Sequence, residues 1–442
     1  MGAPKSPAEH QNFEPARFGF ALASNVLLMR EGLRRVTVTL RFDGCELQQR
    51  LDSLDQKIQK KQNFQKNNEV NKNQTELEDI FLKVFRKLFV IELTGPAGWL
   101  AVDDYHPSSL PQQQNNEKKL EKTTTAQTTT VLPQPAPSYT LVLEFDLPQE
   151  ASAVVPYTQA LHGEAFQVQV PVMRLLLNPT AYVYPYGLLR GLPLASATIE
   201  VDVAGCRQLS LTNQSGMLSP IAPFQPFGPL PVVGCYLIVG CGEAAGKVLT
   251  GFDVALEWGN LPADNGGFHS YYHDYPNSVA TGDYVARVEA LTDGVWGQDE
   301  GAAGLLPLFR TNCAVNASKR VLKSVQLSCA SMIDRLKPAT PQAQAAAAPY
   351  SAGSCNGFFK FTLAGPQFAF GHRDYPQALA YALQHNVHAK SRRFPSGVPE
   401  LPYTPLVNAI SVNYRALARV DLYQNGVAPA DGWNDTLFYL HP

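Results

Sequence analysis

Residues 34–42 read RRVTVTLRF, and within them Val36, Val38 and Leu40 alternate with Arg35, Thr37, Thr39 and Arg41. A period of two puts the aliphatic side chains on one face and the charged or hydroxylated ones on the other, the pattern of a half-buried β-strand. The same alternation returns at 138–147 (SYTLVLEFDL), and Leu88 to Leu93 reads as a further strand closed by the Thr94-Gly95-Pro96 turn. Downstream, Phe166–Val170, Ala197–Val203, Tyr236–Val239 and Leu249–Trp258 are short apolar runs between Gly, Pro and Asn, with a turn at Gln214-Ser215-Gly216. Phe358–Leu363 and Ile410–Tyr414 read as strands of the last third. Helices are few. Residues 76–87 (ELEDIFLKVFRK) place Ile80, Phe81, Val84 and Phe85 at helical spacing, with acids first and bases last as the helix dipole favours. Residues 375–386 read as a second helix.

These readings give an α+β, mainly β fold, multi-domain, with short-strand β-sandwich-like domains. Three segments follow from the composition: an N-terminal α+β domain at 1–150, a β-rich centre at 151–336, and a mixed α/β segment at 357–442. An Ala/Pro linker at 337–356 separates the last two. Low-complexity insertions are expected at 48–77, rich in Gln, Asn and Lys, and at 108–136, rich in Gln, Thr, Lys and Pro. Such stretches bury too little apolar surface to offset the entropy of ordering them. Both are expected to be dispensable for the fold.

Formal net charge is −2, without the positive excess of a protein that neutralises a row of phosphates, so nucleic acid is not an expected partner. Charged residues are 17% of the chain against 34 prolines and 32 glycines. That balance favours short strands, long loops and surface covered by other protein. The seven cysteines are scattered with no CxxC pair, which fits a reducing compartment and assembly in the cytoplasm. Phe18–Met29 is apolar but short for a membrane span.

No stretch supplies a complete catalytic motif. In 268–276 (FHSYYHDYP), His269, His273 and Asp274 could ligate a metal, but the segment lacks a neighbouring Glu base and lies between two glycines and a proline. Aromatic packing is the favoured reading. Residues 239–248 (VGCGEAAGKV) end like a phosphate loop, yet Cys241 and Val248 stand where that loop needs Gly and Ser or Thr, so a tight turn is expected. No G-x-S-x-G elbow or Cys/His signature occurs. His385 and His388, with Lys390, Arg392 and Arg393, read as a solvated helix end. No catalytic residue, metal or cofactor is expected.

Residues 223–234 (PFQPFGPLPVVG) are too proline-rich for a central strand or helix. They form a rigid extended connection. Phe224 and Phe227, stiffened by Pro226, Gly228 and Pro229, either dock into a neighbouring subunit or clamp over the β centre of their own chain.

Several blocks together resemble the baseplate wedge family of extracellular contractile injection systems, phage-tail-like particles related to phage baseplate wedge and baseplate J-like proteins. They are 19–24 (GFALAS), 93–100 (LTGPAGWL), 162–178 (HGEAFQVQVPVMRLLLN), 223–240, 253–262 (DVALEWGNLP), 357–376 (GFFKFTLAGPQFAFGHRDYP) and 401–414 (LPYTPLVNAISVNY). Their order spans most of the chain outside the insertions and the linker. The family pattern continues past 438–442 (FYLHP), so the chain is expected to be an N-terminal part of a larger subunit or a short variant. The resemblance implies a wedge subunit that pairs with a second, similar one. Six such units would ring a spike hub and contact the sheath initiator. Trp99, Phe224, Pro226, Phe227, Gly228, Pro229, Trp258, Phe368 and Tyr403 are the candidate assembly or structural residues. Two rivals remain: a metal-dependent hydrolase using His269 and His273, and a carbohydrate- or receptor-binding β-sandwich displaying Tyr182, Tyr184, Tyr186 and Trp258.

Overall fold

A computed structural model describes residues 18–65, 76–110, 138–163, 166, 168–262, 266–298, 304–312, 320–338, 349–388, 397–421 and 436–441. The protein is α+β and mainly β, and its described residues form three antiparallel sheets.

The decisive stretch forms β2 (Leu33–Asp43) in the middle of a seven-stranded sheet. Its order is β16 (Ser324–Ser328), β12 (Leu249–Gly259), β18 (Leu406–Asp421), β8 (Leu194–Cys206), β2, β6 (Ser138–Leu147) and β5 (His106–Leu110). Register follows the apolar parity. Val38 lies opposite Leu143 on one side and Ile199 on the other, Ile199 opposite Ala418, and all four are buried. A slip of one residue would turn the whole row to the other face, so burial fixes this register. Strands of this sheet come from 1–150, 151–336 and 357–442 alike, so the three sequence segments share one sheet.

A second seven-stranded sheet runs β10 (Gly216–Leu218), β9 (Ser210–Asn213), β11 (Tyr236–Gly240), β17 (Phe358–Gly365), β13 (Val285–Thr292) and β14 (Val295–Gln298), with β15 (Leu305–Pro307) also on β13. Phe252 of β12 stacks on Phe359 of β17 with ring centroids 4.2 Å apart, joining the two large sheets face to face as in a sandwich. The third sheet is β19 (Thr436–His441), β1 (Gly19–Ser24), β7 (Val172–Leu177), β3 (Phe89–Gly95) and β4 (Gly98–Ala101). One hydrophobic core runs through all three, from Leu22 and Ile91 to Val36, Phe252 and Phe361.

Among the described residues the α-helices are α1 (Glu46–Gln65), α2 (Glu76–Phe85), α3 (Gln159–His162), α4 (Pro185–Leu189), α5 (Gly242–Ala245), α6 (Gly267–Tyr271) and α7 (Tyr375–His388). The expected helices at 76–87 and 375–386 are α2 and α7. In α2, Val84 and Phe85 are fully buried.

Three expectations are corrected. The insertion at 48–77 is helical as far as Gln65, because Leu47, Leu51 and Leu54 fall on one stripe at helical spacing and pack on the core. Arg50 adds hydrogen bonds to the carbonyls of Leu188 and Arg190 at 2.7 and 2.8 Å. Residues 66–75 lie outside the described residues. The second insertion begins later than 108, since Ser108–Leu110 belong to β5 and pair with β6; the rest of it, 111–136, lies outside the described residues. Phe166–Val170 is not a strand in its described residues. Phe166, Val168 and Val170 instead pack with Trp99 on a small cluster around Ala21, Ala23, Tyr157 and Val172. Of the expected linker, 339–348 lie outside the described residues, and its end is bonded down: Asn356 accepts from the Asp293 amide at 2.9 Å.

Candidate functional site

The glycine-rich turn after β11 is a one-turn helix, α5, whose flanking residues point inward rather than cradle a ligand. Lys247 is buried and donates to the Leu28 carbonyl and the Tyr414 hydroxyl, each at 2.6 Å. Tyr414 in turn donates to Glu243 Oε1, and the Arg30 amide donates to Glu243 Oε2 at 2.8 Å. Burial lowers the Lys247 ammonium to about 8 against the pull of Glu243, and raises the Tyr414 phenol well above its ordinary value. The cavity that touches Lys247 has a volume of about 10 Å³, about one water. No substrate reaches this lysine through it. The network fastens the 28–30 segment and α5 to β18.

Arg34 is a second buried cation. It shares the inward parity of Val36, one position before the alternation quoted above, and lies opposite Val203 and Leu147. Its guanidinium donates to the carbonyls of Ser152 (2.9 Å), Pro148 (2.9 Å) and Ala151 (2.7 Å), tying the loop after β6 to β2. Parity was the available signal, and only the charge of the side chain hid it.

The aromatic patch 268–276 splits by side. Phe268, Tyr272 and Tyr275 point inward, whereas His269 and His273 are exposed. Tyr272 donates to the Phe370 carbonyl at 3.0 Å and accepts from the Tyr403 amide at 3.1 Å; Tyr403 donates to the Gly259 carbonyl at 2.9 Å. Burial raises the phenols of Tyr272, Tyr284 and Tyr403. His273 pairs with its neighbour Asp274 at 3.1 Å, and His269 lies 3.4 Å from Ser278 Oγ. Among the described residues no three His, Cys, Asp or Glu side chains gather as metal ligands.

The sequence-derived assembly residues are mostly internal. Phe224 and Phe227 are buried, and Phe224 forms a two-way backbone bridge with Val407 at 3.0 and 2.8 Å. Asn213 and Gln214, at the β9–β10 hairpin, donate to the carbonyls of Gln225 (3.1 Å) and Phe227 (2.6 Å). Gly228 has φ +75°, a left-handed conformation that a side chain would strain. Pro226 is buried and Pro229 exposed. The segment is therefore an intrachain clamp, because a backbone bridge and two amide side chains tie it down. Trp258 is buried, its indole donating to the Leu308 carbonyl at 2.9 Å; Phe368 is half-buried against Tyr272. Trp99 is half-buried beneath the Arg174 guanidinium, 3.9 Å from its ring.

What faces outward is a different set. Phe18, Tyr186 and Tyr184 form a ladder with centroid spacings of 6.3 and 6.2 Å, and Tyr184 and Tyr182 are 74% and 60% exposed. Tyr184 also lines a cleft of about 680 Å³ between α1 and α4. The rings are tilted by 47° and 61° to one another, and Trp258 is nowhere among them, so they make no flat platform for a sugar ring. Met217 and Ile221, the latter 91% exposed, flank an apolar groove of about 490 Å³. Sequence reading named the tyrosines but missed Phe18, Met217 and Ile221, since an exposed apolar residue carries no periodic signal of its own.

No family model matches this chain, and a search of curated proteins returns no match.

Proposed function

We propose that the protein is a structural baseplate wedge subunit of a contractile injection system, linking the spike hub to the sheath initiator and helping to trigger contraction. The observation that carries this reading on the structural side is the exposed Phe18–Tyr186–Tyr184 ladder. Tyrosine and phenylalanine combine large contact area with few rotamers, and uncovered patches of this kind are what lasting protein interfaces use. The ordered block resemblance supplies the kind of assembly: a second wedge subunit, sheath initiator and spike as partners, in six-fold array, built in the cytoplasm. Two further facts support a mechanical role. The buried ionisable groups around Lys247 bond to one another and to backbone, and His269 and His273 point to different neighbours. In this role the subunit is a latch: its interfaces favour the uncontracted arrangement until engagement of the spike end favours another.

Deleting the gene in its host should remove sheathed particles from negatively stained lysates, and supplying it in trans should restore them. Normal sheathed particles in the deletion strain would overturn the proposal.

A further inference from the structure

We infer that Cys206 and Cys241 are a site of reversible covalent modification, an oxidisable thiol pair whose disulfide staples the two seven-stranded sheets together. Cys206 is the last residue of β8 in one sheet, and Cys241 follows β11 of the other and caps α5. Both side chains are buried and their sulfurs lie 3.8 Å apart. A disulfide bond is about 2.05 Å long, so closure brings the two sulfurs together by about 1.8 Å. The backbone around each thiol is held in place. Gly205 donates to Asn413 Oδ1 at 2.8 Å, the Arg207 and Gln208 amides donate to Glu31, and the Cys241 carbonyl accepts from Ala244 and Ala245 at 3.1 and 3.0 Å.

A path for a small oxidant is present. The groove of about 490 Å³ beside Met217 and Ile221 has Cys241 in its lining, but not Cys206. Cys241 therefore meets the oxidant first. With hydrogen peroxide, the Cys241 thiolate attacks one oxygen and the O–O bond breaks, giving a sulfenic acid and, after proton transfer, water. The Cys206 sulfur then attacks the Cys241 sulfur, the S–O bond breaks and a second water leaves with the remaining proton. Two thiols and one peroxide become one disulfide and two waters. The contact with the Cys241 thiol and burial push the Cys206 thiol up in the reduced pair.

The bond would close a loop across 35 sequence positions and lie two residues from Glu243, fastening the buried Lys247–Tyr414–Glu243 network. It does not depend on the baseplate reading.

The test uses the purified, fully reduced chain. It is treated with hydrogen peroxide, alkylated in denaturant with N-ethylmaleimide, digested and analysed by mass spectrometry, with a thermal melt of the same samples. Expected are a dithiothreitol-sensitive peptide pair joined through Cys206 and Cys241, and a melting temperature raised by about 3–6 °C. Cys206→Ala and Cys241→Ala should each abolish both. Recovery of Cys206 and Cys241 as maleimide adducts, while exposed Cys45 and Cys355 are oxidised, would overturn the site. So would a linkage that forms only after denaturation, and a native linkage without a rise in melting temperature would overturn the staple. The wild-type peptide map decides the matter even where an alanine variant fails to fold.

Discussion

Lys247 and Tyr414, 167 residues apart in sequence, meet at 2.6 Å inside the core, with the tyrosine hydroxyl relaying the contact to Glu243. A lysine that ends a glycine-rich turn is thereby a fastener between α5, the 28–30 segment and β18. The arrangement has a definite pH signature. Burial holds Lys247 at about 8 in the folded chain against its ordinary 10.5 in the unfolded one. Between those values the unfolded chain binds more protons, so this lysine's contribution to stability rises with pH. Unfolding free energies measured by denaturant titration from pH 7.5 to 9.5 should rise more steeply for the wild type than for Lys247→Met. Parallel profiles would contradict the assignment.

The variant should also be weaker at every pH in that range. Losing Lys247 leaves the Leu28 carbonyl and the Tyr414 hydroxyl without their donor whether or not the amine is charged. A buried polar group left without its hydrogen bond costs about 1–3 kcal/mol. The midpoint of denaturation is the readout.

The clamp makes a prediction opposite to that of a docking arm. Phe224 and Phe227 are both core residues, and truncating a buried phenylalanine costs about 3–5 kcal/mol each. Their sum approaches the whole stability of a typical fold, about 5–15 kcal/mol. The isolated Phe224→Ala/Phe227→Ala chain should therefore fail to fold, as read by circular dichroism and size exclusion. A folded double variant would return the two rings to the surface.

Why the sequence leaves this point open, yet settles β2, is a matter of scale. In β2 each residue's face follows from its neighbours two positions away, so alternation suffices to orient Val36, Val38 and Leu40. The fate of Phe224 depends on Val407, and that of Lys247 on Tyr414, partners that no local pattern names. Proline content correctly marks 223–234 as rigid and extended but says nothing about what it lies on. In α1 the error runs the other way: a Gln- and Lys-rich composition masks three leucines at helical spacing that are enough to seat the helix.

Those leucines are testable in turn. Leu47 is buried to 1% exposure, so Leu47→Ala should cost about 2–5 kcal/mol in a denaturant titration, and Leu51→Ala, half-buried, clearly less. Replacing 48–77 by a Gly/Ser linker should lower the melting temperature. No change would return the segment to the status of a dispensable insertion.

The exposed tyrosines should separate folding from assembly. Tyr184→Ala and Tyr186→Ala remove rings that cover little of the core, so each should shift the stability of the isolated chain by no more than about 0.5 kcal/mol. If the ladder is an assembly surface, the double variant should nevertheless yield few intact particles. Wild-type particle numbers from a normally folded double variant would remove this surface from the proposal.

The structure of the purified particle by electron cryomicroscopy tests the protein's proposed place in an injection system. This chain should lie in the baseplate, in a six-fold ring between spike hub and sheath initiator, with the Phe18–Tyr186–Tyr184 ladder covered by a neighbouring subunit. A particle whose baseplate density contains no copy of this chain would contradict it.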